Sequence, residues 1–182
     1  MNRLPAASLL LAAALVAPLG VAAKSSDRNQ PIDVEAGSSD CSVSNEQLPC
    51  LLTQGVTITQ GTLEIQATRA DLRRRGGEFQ RVILNGGPVR MKQQMDDGGW
   101  VDASATQADY TMQDDTVVLT GNAVVNQPGQ GKIEGQRIVY NMSTGRVQGG
   151  GEGQGRVRMQ FQPRNQGQQP AQPQRPASQG GR

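Results

Sequence analysis

The stretch from Thr116 to Tyr140, TVVLTGNAVVNQPGQGKIEGQRIVY, constrains the fold more than any other in the chain. It reads as an alternating strand, a Thr-Gly-Asn turn, a second strand, a Gly/Pro turn and a third strand ending on tyrosine. A looser copy runs from Leu52 to Leu72. Copies open at Val34-Glu35-Ala36, Ile65-Gln66-Ala67, Asp102 to Ala105 (counted from Ala103) and Ile133-Glu134-Gly135, which places successive openings 31, 38 and 30 residues apart. A period near thirty in a chain of alternating strands means stacked β-units, each too small to bury its apolar face alone. The expected fold is therefore all-β and antiparallel, with roughly a dozen short strands in two facing sheets or a flattened open barrel.

Composition agrees with a thin β-structure. Aromatic residues make up 3% of the chain and glycine supplies 23 of its 182 residues. Such a chain packs with aliphatic side chains and turns often. It contains no histidine, which excludes imidazole acid–base chemistry, histidine-based triads and the commonest metal ligand. No enzyme activity, cofactor or metal is expected. Asp96-Asp97 stands in a turn with no source of the further oxygens that calcium needs.

The first 23 residues read as a cleaved export signal. Met1-Asn2-Arg3 is a short basic start, Leu9 to Val16 is apolar but too short to span a bilayer, and Val21-Ala22-Ala23 supplies small residues for cleavage after Ala23. Removing Arg3 from 18 basic residues leaves 17 against 16 acidic ones. That near-neutral balance does not suggest nucleic acid. The expected organisation is a signal peptide at 1–23, a β-domain at 24–162 and a disordered Gln/Pro/Gly/Arg tail at 163–182.

Along the mature chain, Lys24 to Gln30 is polar and expected to be mobile. Cys41 and Cys50, nine positions apart in an exported chain, are expected to pair as a local staple of about 3 kcal/mol in the chain-entropy model. The redox or metal alternative lacks both CxxC spacing and histidine. Arg73-Arg74-Arg75 reads as a solvated hairpin tip, with phosphate contact as the alternative. Asn85-Gly86-Gly87-Pro88 is expected to turn the chain between two strands, and Val101 to Met112 to form a strand pair. Alternation nominates Val117, Leu119, Val124 and Ile133 for the inner side of their unit. The stack would end in a bare strand edge at each terminus, open to strand addition.

QPIDVEA (30–36), QGVTITQGTLEIQA (54–67), QADY (107–110) and VVLTGNAVVNQ…KIEGQRIVY (117–140) resemble the OstA-like family of periplasmic lipopolysaccharide-transport proteins. The likeness covers about residues 28–162. It implies a twisted β-jellyroll of about sixteen short antiparallel strands, so the two readings bracket 12–16. It also implies a periplasmic protein that binds lipopolysaccharide by the acyl chains of lipid A. Copies would join head to tail by edge-strand pairing, as a homo-oligomer bridging an inner-membrane transport subunit and an outer-membrane translocon. The family's lipid-facing positions fall on Ile32, Ile58, Met91, Tyr110 and Met112. The cysteine pair and the basic tail depart from the family pattern. A second reading keeps the edges and drops the cargo: an envelope adaptor that binds proteins by strand addition.

Overall fold

The computed structural model describes residues 24–151, 153 and 155–163. The expected signal peptide and nearly all of the tail lie outside the described residues. A short 3-10 helix, Ser25–Asn29, precedes ten strands. These are β1 (Ile32–Asp40), β2 (Cys50–Gln60), β3 (Leu63–Ala67), β4 (Arg69–Arg75) and β5 (Glu78–Gln94), then β6 (Trp100–Thr111), β7 (Thr116–Gln127), β8 (Gly131–Asn141), β9 (Arg146–Gly149) and β10 (Arg158–Phe161). All neighbours pair antiparallel, in the order β1-β2-β3-β5-β6-β7-β8-β10, with β4 bridging β2 and β5 and β9 added to β8. The Cys41–Cys50 disulfide forms, closing the loop between β1 and β2.

A single crease organises this sheet. Pairing registers break at Ala36/Ser38 in β1, Asn85/Val89 in β5, Ser104/Gln107 in β6 and Thr120/Ala123 in β7. In β2 the chain bends at Gln54 and Gly55, both at positive φ. Backbone bonds across the crease hold it, with Gly55 N–H donating to Thr68 O at 3.3 Å and Thr68 N–H to Asn85 O at 2.9 Å. Breaks in neighbouring strands align, so the sheet folds along one line and its two halves pack face to face. The apolar inner faces of both halves then share one core, running from Val56, Ile65 and Val89 on one side to Leu84, Leu119 and Ile138 on the other. Tyr140 of one half donates its hydroxyl to Met95 Sδ of the other at 3.7 Å.

The crease corrects three expected turns. Asn85 to Pro88 does not reverse the chain; it lies inside β5 and contains a cis Gly87–Pro88 peptide. Gly121-Asn122 is a bulge within β7, and Val101 to Thr111 belongs to one strand, β6. Glycine and proline break a ladder as readily in a bulge as in a hairpin, and the local sequence does not distinguish the two. Six strands (β1, β2, β5, β6, β7 and β8) cross the crease and four do not. Counted as half-strands, the ten become sixteen, the number the jellyroll resemblance implies.

Crossing the crease also resets the phase of burial. In β5 the inward residues are Val82 and Leu84 before it, and Val89 and Met91 after it. In β6 they pass from Val101, Ala103 and Ala105 to Ala108 and Tyr110. β7 keeps its phase instead, because two bulged residues, Gly121 and Asn122, oppose one residue of β8. Gly121 sits at φ 79°, and a Cβ there would lie 2.7 Å from Thr106 Oγ1, so this corner requires glycine.

Candidate functional site

Where the two half-sheets meet near β1, their inner faces leave a narrow apolar cleft. Ile58, Leu63 and Ile65 form one wall, and Val82, Tyr110 and Met112 form the other. Ile32 stands at its mouth, 37% exposed. The free volume is about 10 Å³. That is room for about one water molecule, whereas each methylene of an acyl chain is comparable in size to a water molecule, ~30 Å³ in the liquid. A chain-like ligand can enter only if the walls part. They meet there through side chains alone, with no ladder hydrogen bonds between them, so parting them breaks no strand pairing.

Over the mouth lies the segment expected to be mobile. Lys24 to Asn29 is instead a strap, fixed on one wall and reaching to the other. Lys24 N–H donates to Gln94 O at 2.9 Å and Ser25 N–H to Asp96 Oδ1 at 2.9 Å. Asp27 is 3% exposed and accepts hydrogen bonds from Thr62 Oγ1 and Gln93 Nε2. Beneath it Gly61, at φ 59°, leaves no space for a side chain, since a Cβ would lie 2.4 Å from Asp27 Oδ1. From the same strap Arg28 pairs with Asp115, in the turn after β6. A buried carboxylate held by neutral donors and an arginine reaching across the gap together turn a polar segment into structure.

Charge at the rim tunes the two tyrosines. Burial pushes the Tyr140 hydroxyl up to about 12, with the nearby Arg28 charge pulling in the opposite direction. Tyr110 is raised by the same cause, opposed by Arg28 and aided by Asp114, and its hydroxyl donates to Asp115 Oδ1 at 3.4 Å. Both stay neutral at physiological pH and contribute ring surface to the interior. Among the described residues no group of three or more His, Cys, Asp or Glu is arranged to hold a metal.

The nominated residues divide into four sets. Ile32, Ile58, Tyr110 and Met112 converge on the cleft. Met91, Val117 and Leu119 point inward and are fully packed in the core. Ile133 also packs inward, half-buried, between Val125 and Met159 as strand neighbours. Val124 is the correction: it faces outward, half-buried beside Arg90, Asp102 and Asn126, while Ala123 and Val125 point to the core. In a Val-Val pair composition cannot say which residue faces in, and the bulge at Gly121-Asn122 decides it. Leu63, Ile65 and Val82 also line the cleft, and the same alternation marks them in the sequence. Nothing local marks the strap, whose partners Thr62, Gln93 and Asp115 are 35 to 87 positions away from Asp27 and Arg28.

A creased antiparallel sheet with an apolar cleft between its halves has recognisable relatives. The family described as "LptA/(LptD N-terminal domain) LPS transport protein" matches residues 33–146. The chain belongs to this family. The lipopolysaccharide export system protein LptA of Escherichia coli K12 is 31% identical over 179 residues, covering 94% of this chain and 95% of that one. The LptA protein of Haemophilus influenzae is 32% identical over 152 residues, covering 82% and 87%. In three dimensions the LptA-family fold is shared with LptH of Pseudomonas aeruginosa, described as the LptA-homologous periplasmic component of a lipopolysaccharide transport device. That match has a TM-score of 0.68 and 28% identity, covering 76% of this chain and 99% of that one.

Proposed function

We propose that this LptA-family chain is exported to the periplasm and carries lipopolysaccharide there, holding the acyl chains of lipid A between its half-sheets. The observation that carries the reading is the cleft of Ile32, Ile58, Tyr110 and Met112, apolar on both walls and open to solvent at Ile32. The names of its relatives, lipopolysaccharide export proteins, supply the cargo. Acyl chains cannot cross water bare, since each methylene taken out of water is worth about 0.8 kcal/mol. Walls that part along a contact of side chains alone give that shelter at low cost.

The sheet ends support assembly. Among the described residues β1 pairs only with β2, and β9 and β10 pair only with β8. β10 leaves Met159 and Phe161 exposed, at 48% and 75%. An edge with apolar side chains is suited to adding a strand from a second copy, or from a membrane-complex subunit of the same fold. These edges also favour the adaptor reading, in which partners bind by strand addition and no lipid is carried.

A photo-crosslinking residue placed at Ile32 or Met112 should capture lipopolysaccharide in the cell envelope, while one at outward-facing Val124 should not. Capture of protein partners alone at all three positions would overturn the lipid reading and favour the adaptor.

A further inference from the structure

The sequence leaves two features unexplained by an acyl-binding cleft: the run Arg73-Arg74-Arg75 and the disulfide-closed loop. In the fold they face each other. Arg73, Arg74, Arg75 and Arg81 line one side of a cleft of about 630 Å³, and the loop contributes Glu46 to the other. A regular strand would send Arg74 to the face opposite its neighbours. Here the register slips between Arg73 and Arg74, because Arg73 pairs with Arg81 and Arg74 with Phe79, leaving Gln80 bulged. Along β4 burial still alternates, with Arg74 on the side of buried Ala70 and Leu72 and Arg73 and Arg75 exposed, yet all three arginines border the same space at the hairpin end.

The charges there are unevenly matched. Arg81 is held by Asp109 on the neighbouring strand, with Nε 2.7 Å from Oδ1, and Arg73 lies 3.5 Å from Asp71. Arg74 and Arg75 form no ion pair among the described residues. Arg74 is half-buried and, among the described residues, its side chain donates only to the carbonyl of Ser42, the residue next to Cys41. The disulfide closes the loop that carries this carbonyl. Glu46 lines the cleft but pairs with neither arginine among the described residues, so both guanidiniums keep donors for an anion, and their planar fork suits phosphate oxygens.

The anion cleft adjoins the apolar one. Gln80 lines the first, and its backbone oxygen accepts a hydrogen bond at 3.0 Å from the amide of Met112, which lines the second. Arg81 and Val82, consecutive on β5, point to opposite faces of that strand, one toward each cleft. A ligand with a phosphate at the head of its acyl chains would reach both by passing around the strand ends at Gln80 and Met112. We propose that the cleft between the Cys41–Cys50 loop and the β4–β5 hairpin binds a phosphate group of the lipid headgroup, with Arg74 and Arg75 as its ligands. This rests on the lipid reading above.

The test compares the mature chain with an Arg74→Gln/Arg75→Gln variant, after thermal melting shows that both fold. Three probes are used: bisphosphorylated lipid A, its fully dephosphorylated form and inorganic pyrophosphate. Dephosphorylated lipid should bind both proteins equally, and the phosphorylated form should bind the variant about tenfold more weakly than the native chain. Pyrophosphate should shift the Nε–H NMR signals of Arg74 and Arg75 in the native chain. Equal binding of phosphorylated lipid by both proteins, or unmoved arginine signals, would overturn the site. If pyrophosphate shifts the signals but neither lipid binds, the headgroup assignment falls together with the lipid reading, and the cleft is a free-phosphate site. If dephosphorylated lipid binds but phosphate changes nothing, the acyl cleft stands and the anion site alone is overturned.

Discussion

Arg28 and Asp115, 87 positions apart, form an ion pair that ties the N-terminal strap to the far wall of the apolar cleft. Its partners are neither free in solvent nor fully buried, with side chains 26% and 19% exposed. Because the strap is anchored on the opposite wall through Asp27 and Ser25, this pair and the Tyr140–Met95 contact link the two half-sheets on the side away from the crease. Any parting of the walls for a ligand has to lengthen it.

Arg28→Ala should therefore loosen the strap while leaving the sheet intact. A partly exposed pair is worth about 0.5–1 kcal/mol after solvent screening, a fall in Tm of about 1–4 °C for a chain of this size. Hydrogen exchange should quicken at the amides of Ser25 and Asp27 and stay unchanged at β6 and β7. Tyrosine titration gives a second readout: loss of the Arg28 charge should push Tyr140 and Tyr110 further up. Unchanged exchange at the strap would mean that Asp27 alone holds it.

Tyr140 makes stability sensitive to alkali. Its hydroxyl is pushed up to about 12 in the fold, against about 10 in an unfolded chain, so the folded protein keeps the proton longer. This contribution is fully present below pH ~10 and is lost as pH rises toward about 12, amounting to about 2–3 kcal/mol. Tyr140→Phe has no proton to lose. The difference in unfolding free energy between variant and native chain should shift in the variant's favour across that window, and stay constant from pH 6 to pH 9.

Gly121→Ala probes the crease. At φ 79° any side chain is strained, and here the new methyl would also meet Thr106 at 2.7 Å. The expected cost is about 1–3 kcal/mol by denaturant unfolding. Gly98→Ala is the control, since Gly98 has a similar φ of 83° with nothing within 4 Å. It should cost only the backbone part, and equal losses in the two variants would show that close approach at the crease is unimportant.

What the sequence determined by itself was local and periodic. The alternation of Val117 and Leu119, the hairpin at Gly76-Gly77, the Cys41–Cys50 pair and, among the described residues, the strand edges near both ends are legible from residue type and spacing. The thirty-residue recurrence also sets the all-β class. Which side of the sheet each residue takes was decided only in three dimensions. A strand's period of two carries no memory across a bulge, so the inward phase after Asn85 to Pro88, or at Val124-Val125, depends on how many residues the neighbouring strand places opposite. The strap needed tertiary structure altogether: Lys24 to Gln30 has no apolar pattern, and it is ordered by Thr62, Gln93 and Asp115, which the fold brings to it.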